Sequence, residues 1–174
     1  MQEKQARREL AGKPVSASAT MLATLVEVAD TNPMGNIHGG AIMKLADQAA
    51  AAAAIRHSGH ICVTASIDRL DFLNAVHVGD LVTLKSSVNY AHRSSMEVGV
   101  HIETERLDTG ERKHVASALL IFVALDEQCK PVQVPPVIPE TESEKIRYRE
   151  AEQRYQQRAE KRAQERLRRA GANS

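Results

Sequence analysis

The sequence is poor in aromatic residues and in cysteine, and it carries almost no net charge. Aromatic residues make up 3% of the 174 positions and Trp is absent, which argues against stacking platforms for single-stranded nucleic acid. Two cysteines, Cys62 and Cys129, are too few for a disulfide framework and fit a reducing cytosol. The formal net charge is +1, from 23 basic and 22 acidic side chains, so the composition predicts neither a nucleic-acid partner nor an anionic membrane surface.

Long apolar runs are also missing. The longest candidate, around residues 45–55, is dominated by alanine and is shorter than the roughly 18 apolar residues that span a bilayer. The N-terminal stretch MQEKQARREL is charged and has no apolar segment typical of a secretory signal. The sequence therefore predicts a cytoplasmic protein that is not embedded in a membrane.

Composition divides the chain into three parts. Residues 1–15 are polar and predict a flexible N-terminus, whereas residues 16–139 carry the apolar patterning and predict one domain. Residues 140–174 are rich in charge and favour a helix by propensity, with i,i+4 pairs Glu150–Arg154 and Glu165–Arg169. This last part predicts a charged helical extension.

The domain begins with a strand, a loop and a long helix. Residues 17–29 are typical of a strand, and the Asn-Pro and Gly content of TNPMGNIHGG indicates a loop. From Gly40 to about Arg56 the Ala, Met, Leu and Lys content predicts a helix, which Gly59 ends.

A period of two then predicts four strands in a meander. The first is apolar at Val63, Ala65 and Ile67, with a bulge near Asp68. The second strand has an apolar face at Val82, Leu84, Val88 and Tyr90, with polar Ser86 as the exception. The third has an apolar face at Met96, Val98, Val100 and Ile102. A hairpin turn at residues 107–111 leads to residues 114–125, which are apolar on both faces and predict a central strand. The order predicts an α+β fold in which the one apolar helix covers the concave face of an antiparallel sheet.

One carboxylate, Asp47, interrupts the otherwise apolar helix. A buried core helix explains the alanines but not a charged residue among them. A carboxylate in such a setting must be paired, hydrogen-bonded or part of a site. Composition alone leaves the structural and the functional interpretation of Asp47 equally open.

The loop before the helix supplies complementary chemistry. Gly39 and Gly40 stand at the helix start, where N–H groups lack intrahelical partners and the helix dipole is positive, so this end can hold a phosphate or an oxyanion. The spacing is not that of a P-loop. The ordinary alternatives are a glycine turn, a turn initiated by Asn32, and a His38 that only caps or packs.

Other motifs are weaker. No metal site is predicted, because no second ligand pair follows the neighbouring His57, His60 and Cys62 at a recognisable spacing. Cys62 lies in a strand pattern and is interpreted as a small buried hydrophobe. The hairpin YAHRSSME, residues 90–97, is either a solvated turn or a phosphate contact through its polar residues Arg93, Ser94 and Ser95.

Several stretches resemble, in order and spacing, the hotdog-fold acyl-CoA thioesterases, the acyl-CoA hydrolase group with the ACOT-type domain. They are NPMGNIHGGAIMKLADQAA, VTASIDRLDF, GDLVTLKSSVNYAHRSSMEV and VQVPPVIPETESEK. The resemblance runs from about residue 16 to about residue 150, and only VQVPP departs slightly from the family's pattern. It implies a hotdog fold, in which a curved antiparallel sheet of five or six strands wraps a long central helix, here followed by a charged C-terminal helix.

The resemblance also implies the hydrolysis of fatty acyl-CoA to free acid and CoA, within fatty acid metabolism. In the family two hotdogs pair through their sheets, with active sites at the shared interface, and many members form hexamers as trimers of dimers. The family's functional asparagine and aspartate correspond to Asn32 and Asp47, which are expected to meet across the dimer. Asp47 would act as general base or as nucleophile, and no metal or other cofactor is required.

Supporting roles follow from the same resemblance. The N–H groups of Gly39 and Gly40 would stabilise the oxyanion with help from His38. An apolar tunnel between subunits would take the acyl chain, and the nucleotide end of CoA would contact Arg93, Ser94 and Ser95. One alternative is a non-catalytic acyl-CoA or nucleotide-binding regulator on the same fold, and another is a dehydratase or hydratase.

Overall fold

The computed structural model describes residues 10–171, and side chains as far as residue 168. Residues 1–9 of the predicted flexible N-terminus and residues 172–174 of the predicted extension lie outside the described residues. The described chain forms two compact units, residues 10–138 and residues 139–171. Within residues 10–171, no helix is both long and apolar enough to cross a bilayer.

The central helix, α1, spans Gly39–Ser58. Its buried face consists mainly of alanine, which keeps the helix propensity high and lets neighbouring strands approach the helix backbone. That face comprises Ile42, Ala46, Ala49, Ala50, Ala53, Ala54 and His57. Gly59 ends the helix in the left-handed region, with φ at 75°, and donates its N–H to Ile55 O over 2.8 Å. The predicted helix and its glycine end are confirmed.

Five strands form one antiparallel sheet and two short ones form a separate parallel pair. The strands are β1 (Lys13–Pro14), β2 (Thr20–Leu25), β3 (Ile61–Phe72), β4 (Leu81–His92), β5 (Ser95–Glu105), β6 (Arg112–Leu125) and β7 (Val137–Ile138). The large sheet has the order β2-β4-β5-β6-β3, and β1 pairs with β7. The α+β arrangement of five antiparallel strands around a long helix is as the sequence predicts.

The predicted four-strand meander is wrong in one respect. Only β4, β5 and β6 are consecutive neighbours, because β3 pairs with β6 at the opposite edge from β2. The connection of eight residues, 73–80, allows this. Strands lie about 4.8 Å apart, so skipping two of them needs about 14 Å, well within the roughly 26 Å that eight extended residues reach. Period-two patterning identifies a strand but not its partner.

The faces predicted for β4 and β5 are buried. Ser86, the polar exception, donates its hydroxyl to Ala49 O of α1 over 2.7 Å. Strand β6 lies between β5 and β3, as its two apolar faces predict. The pairing of β3 with β6 shifts register between Ile67 and Arg69, which confirms the bulge near Asp68.

The second helix, α2, spans Glu142–Gly171. It begins with a capping box, since Glu144 N donates to Thr141 Oγ1 over 3.3 Å and Thr141 N donates to Glu144 Oε2 over 2.9 Å. The predicted pair Glu150–Arg154 is present at 3.8 Å. The side chain of the second pair's Arg169 lies outside the described residues.

His57 is fully buried at the C-terminal end of α1. Its Nε2 lies 2.9 Å from Pro135 O, while Nδ1 has no hydrogen-bond partner among the described residues. Burial lowers the pKa of the imidazole below its ordinary 6.5, the Pro135 carbonyl raises it, and the charge of Lys13 lowers it further. The folded domain therefore favours the neutral form of His57.

The free energy of unfolding should consequently fall in acid through His57. Because the folded pKa lies below the unfolded one, the unfolded chain binds more protons below about pH 6.5, at about 1.4 kcal/mol per pKa unit. Urea unfolding at several values between about pH 5 and pH 8 should show a smaller decrease for His57→Gln than for wild type. The exposed His60 provides the matched control, His60→Gln, and equal pH slopes for both variants would contradict the assignment.

Candidate active site

The loop before α1 holds Asn32 by four hydrogen bonds, one of which is donated by Gly35 N to the backbone O of Asn32 over 2.9 Å. Its backbone N–H donates to Asn36 O over 2.8 Å. Its side-chain Oδ1 accepts from Met34 N over 2.9 Å and from Asn36 N over 3.4 Å. Since Oδ1 satisfies two backbone donors, the amide is oriented with Nδ2 available to donate elsewhere.

The loop is attached firmly to the domain just before the helix. Ile37 N donates to Val76 O over 2.9 Å, and His38 N donates to Asp30 O over 2.8 Å. His38 is the N-cap residue of α1, but its side chain makes no capping hydrogen bond and is exposed. The imidazole therefore lies beside the helix start without contributing to the helix itself.

The glycine pair gives the helix start two different surroundings. A Cβ at Gly39 would lie 3.3 Å from Cζ of Phe72, so this glycine allows the helix to approach the end of β3 closely. A Cβ at Gly40 would meet nothing within 4 Å, so that side is open in the single chain. In the described part of the chain, neither N–H has a backbone acceptor, as expected for a first helical turn.

Asp47 is hydrogen-bonded to the sheet. Thr64 Oγ1 donates to Asp47 Oδ1 over 2.6 Å, a short distance typical of a hydroxyl bound to a carboxylate. The carboxylate is only half-buried in one chain, because β3 is an edge strand and no further strand covers this side. The helix thus presents Asp47 at an open margin of the domain rather than inside a closed core.

Thr64 was missed by sequence reasoning. The apolar residues of β3 indicate a core face at Val63 and Ile67, but these are 44% and 40% exposed. Thr64 points toward α1, on the face opposite Val63, since neighbouring side chains alternate along a strand. A second register shift, between Thr64 and Ser66, places Ile67 on the same face as Thr64. The available signal was Asp47 itself, because a carboxylate in an apolar helix needs a hydrogen-bond donor. In the structure the strand that follows the helix supplies it.

One chain does not bring the proposed catalytic groups to a single point. Asp47 follows Gly39 by eight helical positions, which corresponds to about 12 Å along the helix axis. No hydrogen bond joins Asn32 to Asp47 among the contacts of residues 10–168. Within one chain, the glycine pair and Asp47 are therefore separate along the helix.

The polar hairpin lies at the far end of the sheet from the glycine pair. Strand β3 starts near the C-terminal end of α1 and pairs there with the end of β6. Near that end, Ala124 N donates to Ser94 O over 2.9 Å. A helix of 20 residues is about 30 Å long, so one chain keeps this hairpin away from Gly39 and Gly40.

The hairpin turn is tight. Arg93 occupies the left-handed region with φ at 55°, and Ser95 Oγ donates to His92 O over 3.0 Å. A pocket of about 220 Å³ next to the turn is lined by His92, Arg93 and Gln133 among others. Arg93 therefore borders a cavity, while the Ser95 hydroxyl stabilises the turn.

The weaker candidates take structural positions. Cys62 Sγ lies 3.2 Å from Ser58 Oγ, and burial raises the pKa of its thiol while that hydrogen bond lowers it. Across the described residues, no three His, Cys, Asp or Glu side chains are grouped closely enough to hold a metal ion. Cys62 is half-buried, and its surroundings favour the thiol over the thiolate.

Comparison with known proteins identifies similar hydrolases. A family model described as the thioesterase superfamily matches residues 34–111. The chain is 45% identical over 129 residues to an uncharacterized acyl-CoA thioester hydrolase of Bacillus subtilis, across 74% of this chain and 75% of that protein. Mammalian cytosolic acyl coenzyme A thioester hydrolases also match, and the chain spans 38% of their length.

Solved structures give the same result. A hexameric acyl-CoA thioesterase has a TM-score of 0.85 at 40% identity and covers 88% of this chain and 99% of its own. The acyl-CoA hydrolase of Staphylococcus aureus, in complex with butyryl coenzyme A, coenzyme A and coenzyme A disulfide, has a TM-score of 0.82 at 37% identity, covering 89% and 94%. Structures of three single alanine variants of that hydrolase match as well, and they replace an asparagine, an aspartate and a threonine. The asparagine lies 15 positions before the aspartate, and the threonine lies 17 positions after it.

Proposed function

The chain belongs to the thioesterase superfamily and is an acyl-CoA thioesterase, and from that premise we propose that it hydrolyses fatty acyl-CoA at sites shared by two subunits. The hotdog fold implied by the resemblance is confirmed by the same relatives. The observation that carries the proposed site is the Thr64–Asp47 hydrogen bond at the open margin of the domain. Asn32, Asp47 and Thr64 are spaced 15 and 17 positions apart, as are the three residues replaced in the Staphylococcus aureus hydrolase.

The edge strand β3 supports pairing between two copies. It presents large apolar side chains to solvent, with Ile61 exposed to 72% and Phe72 to 51%. A long apolar edge strand is a template for pairing with another chain. Joining two sheets at β3 would cover Asp47 and bring the partner's loop and helix start toward it. Within one chain, the helix start and Asp47 lie about 12 Å apart along the helix axis.

The proposed reaction uses water and four groups of the protein. Asp47, oriented by Thr64, takes a proton as water attacks the thioester carbon, or attacks that carbon itself. Asn32 of the other subunit donates through Nδ2 to the carbonyl oxygen, because its Oδ1 is occupied. The N–H groups of Gly39 and Gly40 stabilise the negative charge on that oxygen. When water is the nucleophile, the C–S bond breaks, the CoA sulfur takes the proton held by Asp47, and the free acid is released. When Asp47 is the nucleophile, the C–S bond breaks to leave an acyl anhydride on Asp47; water then attacks this anhydride, releases the free acid and supplies the proton that the CoA sulfur takes.

Other groups of the proposed assembly bind and support. The exposed His38 borders the helix start and assists the oxyanion donors. Arg93, Ser94 and Ser95 contact the nucleotide end of CoA. These three residues belong to a different subunit from the Gly39 that binds the carbonyl. The assembly proposed is a hexamer built as a trimer of dimers, in line with the hexameric relative. No metal or other cofactor enters the scheme, and the cytoplasmic location and the role in fatty acid metabolism stay predictions.

The non-catalytic regulator is not favoured, since the relatives are hydrolases by name. A sensor also has no use for a carboxylate held by Thr64 at 2.6 Å. Binding of acyl-CoA without release of thiol would be the sign of such a regulator.

Replacing Asp47 by Ala should lower kcat by about 10²–10⁴, the usual contribution of a positioned acid–base group. Thr64→Val should lower it about 10–100-fold, because it removes a hydrogen bond to a charged group, whereas Thr64→Ser should restore most of the rate. Thiol release from palmitoyl-CoA and shorter acyl-CoAs measures all four proteins. Full activity of Asp47→Ala, or no thiol release by wild type, would reject the proposal.

Asn32 has a structural and a chemical role that two variants separate. Asn32→Asp keeps the acceptor for Met34 N and Asn36 N but loses the Nδ2 donor, so the loop should remain while kcat falls about 10²–10³-fold. Asn32→Ala loses both and should also lower the melting temperature. Thermal unfolding and thiol release are measured on the same samples, and normal turnover by Asn32→Asp would remove Nδ2 from the mechanism.

Co-expression tests whether the site is shared. A mixed dimer of Asn32→Ala and Asp47→Ala chains has one site with both changes and one site with neither. Random pairing in a symmetric dimer therefore predicts about one quarter of wild-type activity from two nearly inactive proteins. Two affinity tags allow the mixed species to be isolated and its thiol release compared with both parents. If the mixed species is as inactive as its parents, Asn32 and Asp47 act within one chain.

A further inference from the structure

A second pocket opens at the start of α1, on the side of Gly39. Its volume is about 330 Å³, and its wall includes Ile37, Gly39, Ile42, Phe72, Leu73 and Val115. None of these side chains carries a polar group. Most residues of the wall are therefore apolar, and the pocket begins at one of the two proposed oxyanion donors.

Two asparagines, Asn36 and Asn74, are the polar residues of the wall. Asn74 Nδ2 donates to His114 O over 2.8 Å. Leu73 N donates to Val115 O over 2.8 Å. This hydrogen bond attaches the start of the connection 73–80 to the N-terminal part of β6. A pocket lined mostly by apolar side chains, with a few polar groups at defined positions, is typical of a site for a largely hydrocarbon ligand.

The pocket is joined to the proposed catalytic loop. Asn36 lines it and also accepts the N–H of Asn32 over 2.8 Å. A carbonyl oxygen held by Asn32 and Gly39 would therefore have its own acyl chain at the mouth of this cavity. Water-sized groups occupy about 30 Å³ each, so the cavity has room for roughly ten methylene-sized groups.

We infer that this pocket takes the acyl chain and that Leu73 at its wall determines the preferred chain length. The inference rests on the proposed function and names the specificity of the same site. Leu73 is suited to that role because it is 57% exposed. A change in its size alters the cavity rather than the packed core. Each methylene that the pocket buries should raise kcat/KM about four-fold until the cavity is full.

A chain-length series on Leu73 variants tests this. Wild type should show kcat/KM rising from butyryl-CoA to about decanoyl-CoA and then levelling. Leu73→Trp should lower the decanoyl-to-butyryl ratio at least about ten-fold, the usual effect of a filled apolar pocket. Leu73→Ala should instead extend the preference to longer chains.

Leu107 is the matched control, since it is also 57% exposed and lies in the β5–β6 turn, away from the pocket. Leu107→Trp should leave the ratio unchanged. A uniform loss across all chain lengths in Leu73→Trp, or no change in either Leu73 variant, would overturn the inference while leaving the hydrolase activity intact. If wild type released thiol from no acyl-CoA, the proposed function itself would fail.

Discussion

The contact between α1 and the sheet determines where every proposed functional group lies. Alanine lines the buried face of the helix, so the strands approach until Ser86 can donate to a helix carbonyl. The same proximity lets a single threonine of β3 reach Asp47. A larger residue at Ala49 or Ala53 would push the sheet away and separate Thr64 from its carboxylate. The packing of the core and the orientation of Asp47 are consequences of one short helix–sheet distance.

The proposed functional groups lie at three places along α1: its start, its middle and beyond its end. The loop and glycine pair are at the start, Asp47 is near the middle, and the polar hairpin lies beyond the end. A rigid helix keeps these positions apart within one chain. In the proposed dimer, the stable core fixes each group and the pairing of subunits would supply the proximity that the chemistry needs.

Local sequence signals predicted the local structure well. Ala content gave the helix, Gly59 gave its end, and alternation gave the buried faces of β4 and β5. The position of β3 was not predictable, because alternation does not state which strand is the neighbour. The apolar side chains of β3 led in the wrong direction, since Val63 and Ile67 are 44% and 40% exposed rather than buried in the core. The expectation of a core face there hid Thr64, which donates its hydroxyl to Asp47.

The connection of residues 73–80 has a consequence for the range of substrates such a fold can serve. This segment both carries the chain past two strands and forms part of the wall of the pocket at the helix start. Loops tolerate insertion and deletion far better than strands, and lengthening them costs little free energy. Small length changes here would reshape the cavity while the sheet register, the helix and Asp47 stayed in place. Evolution could thus alter substrate size through the spacing between two strands, without changing a residue that performs the chemistry.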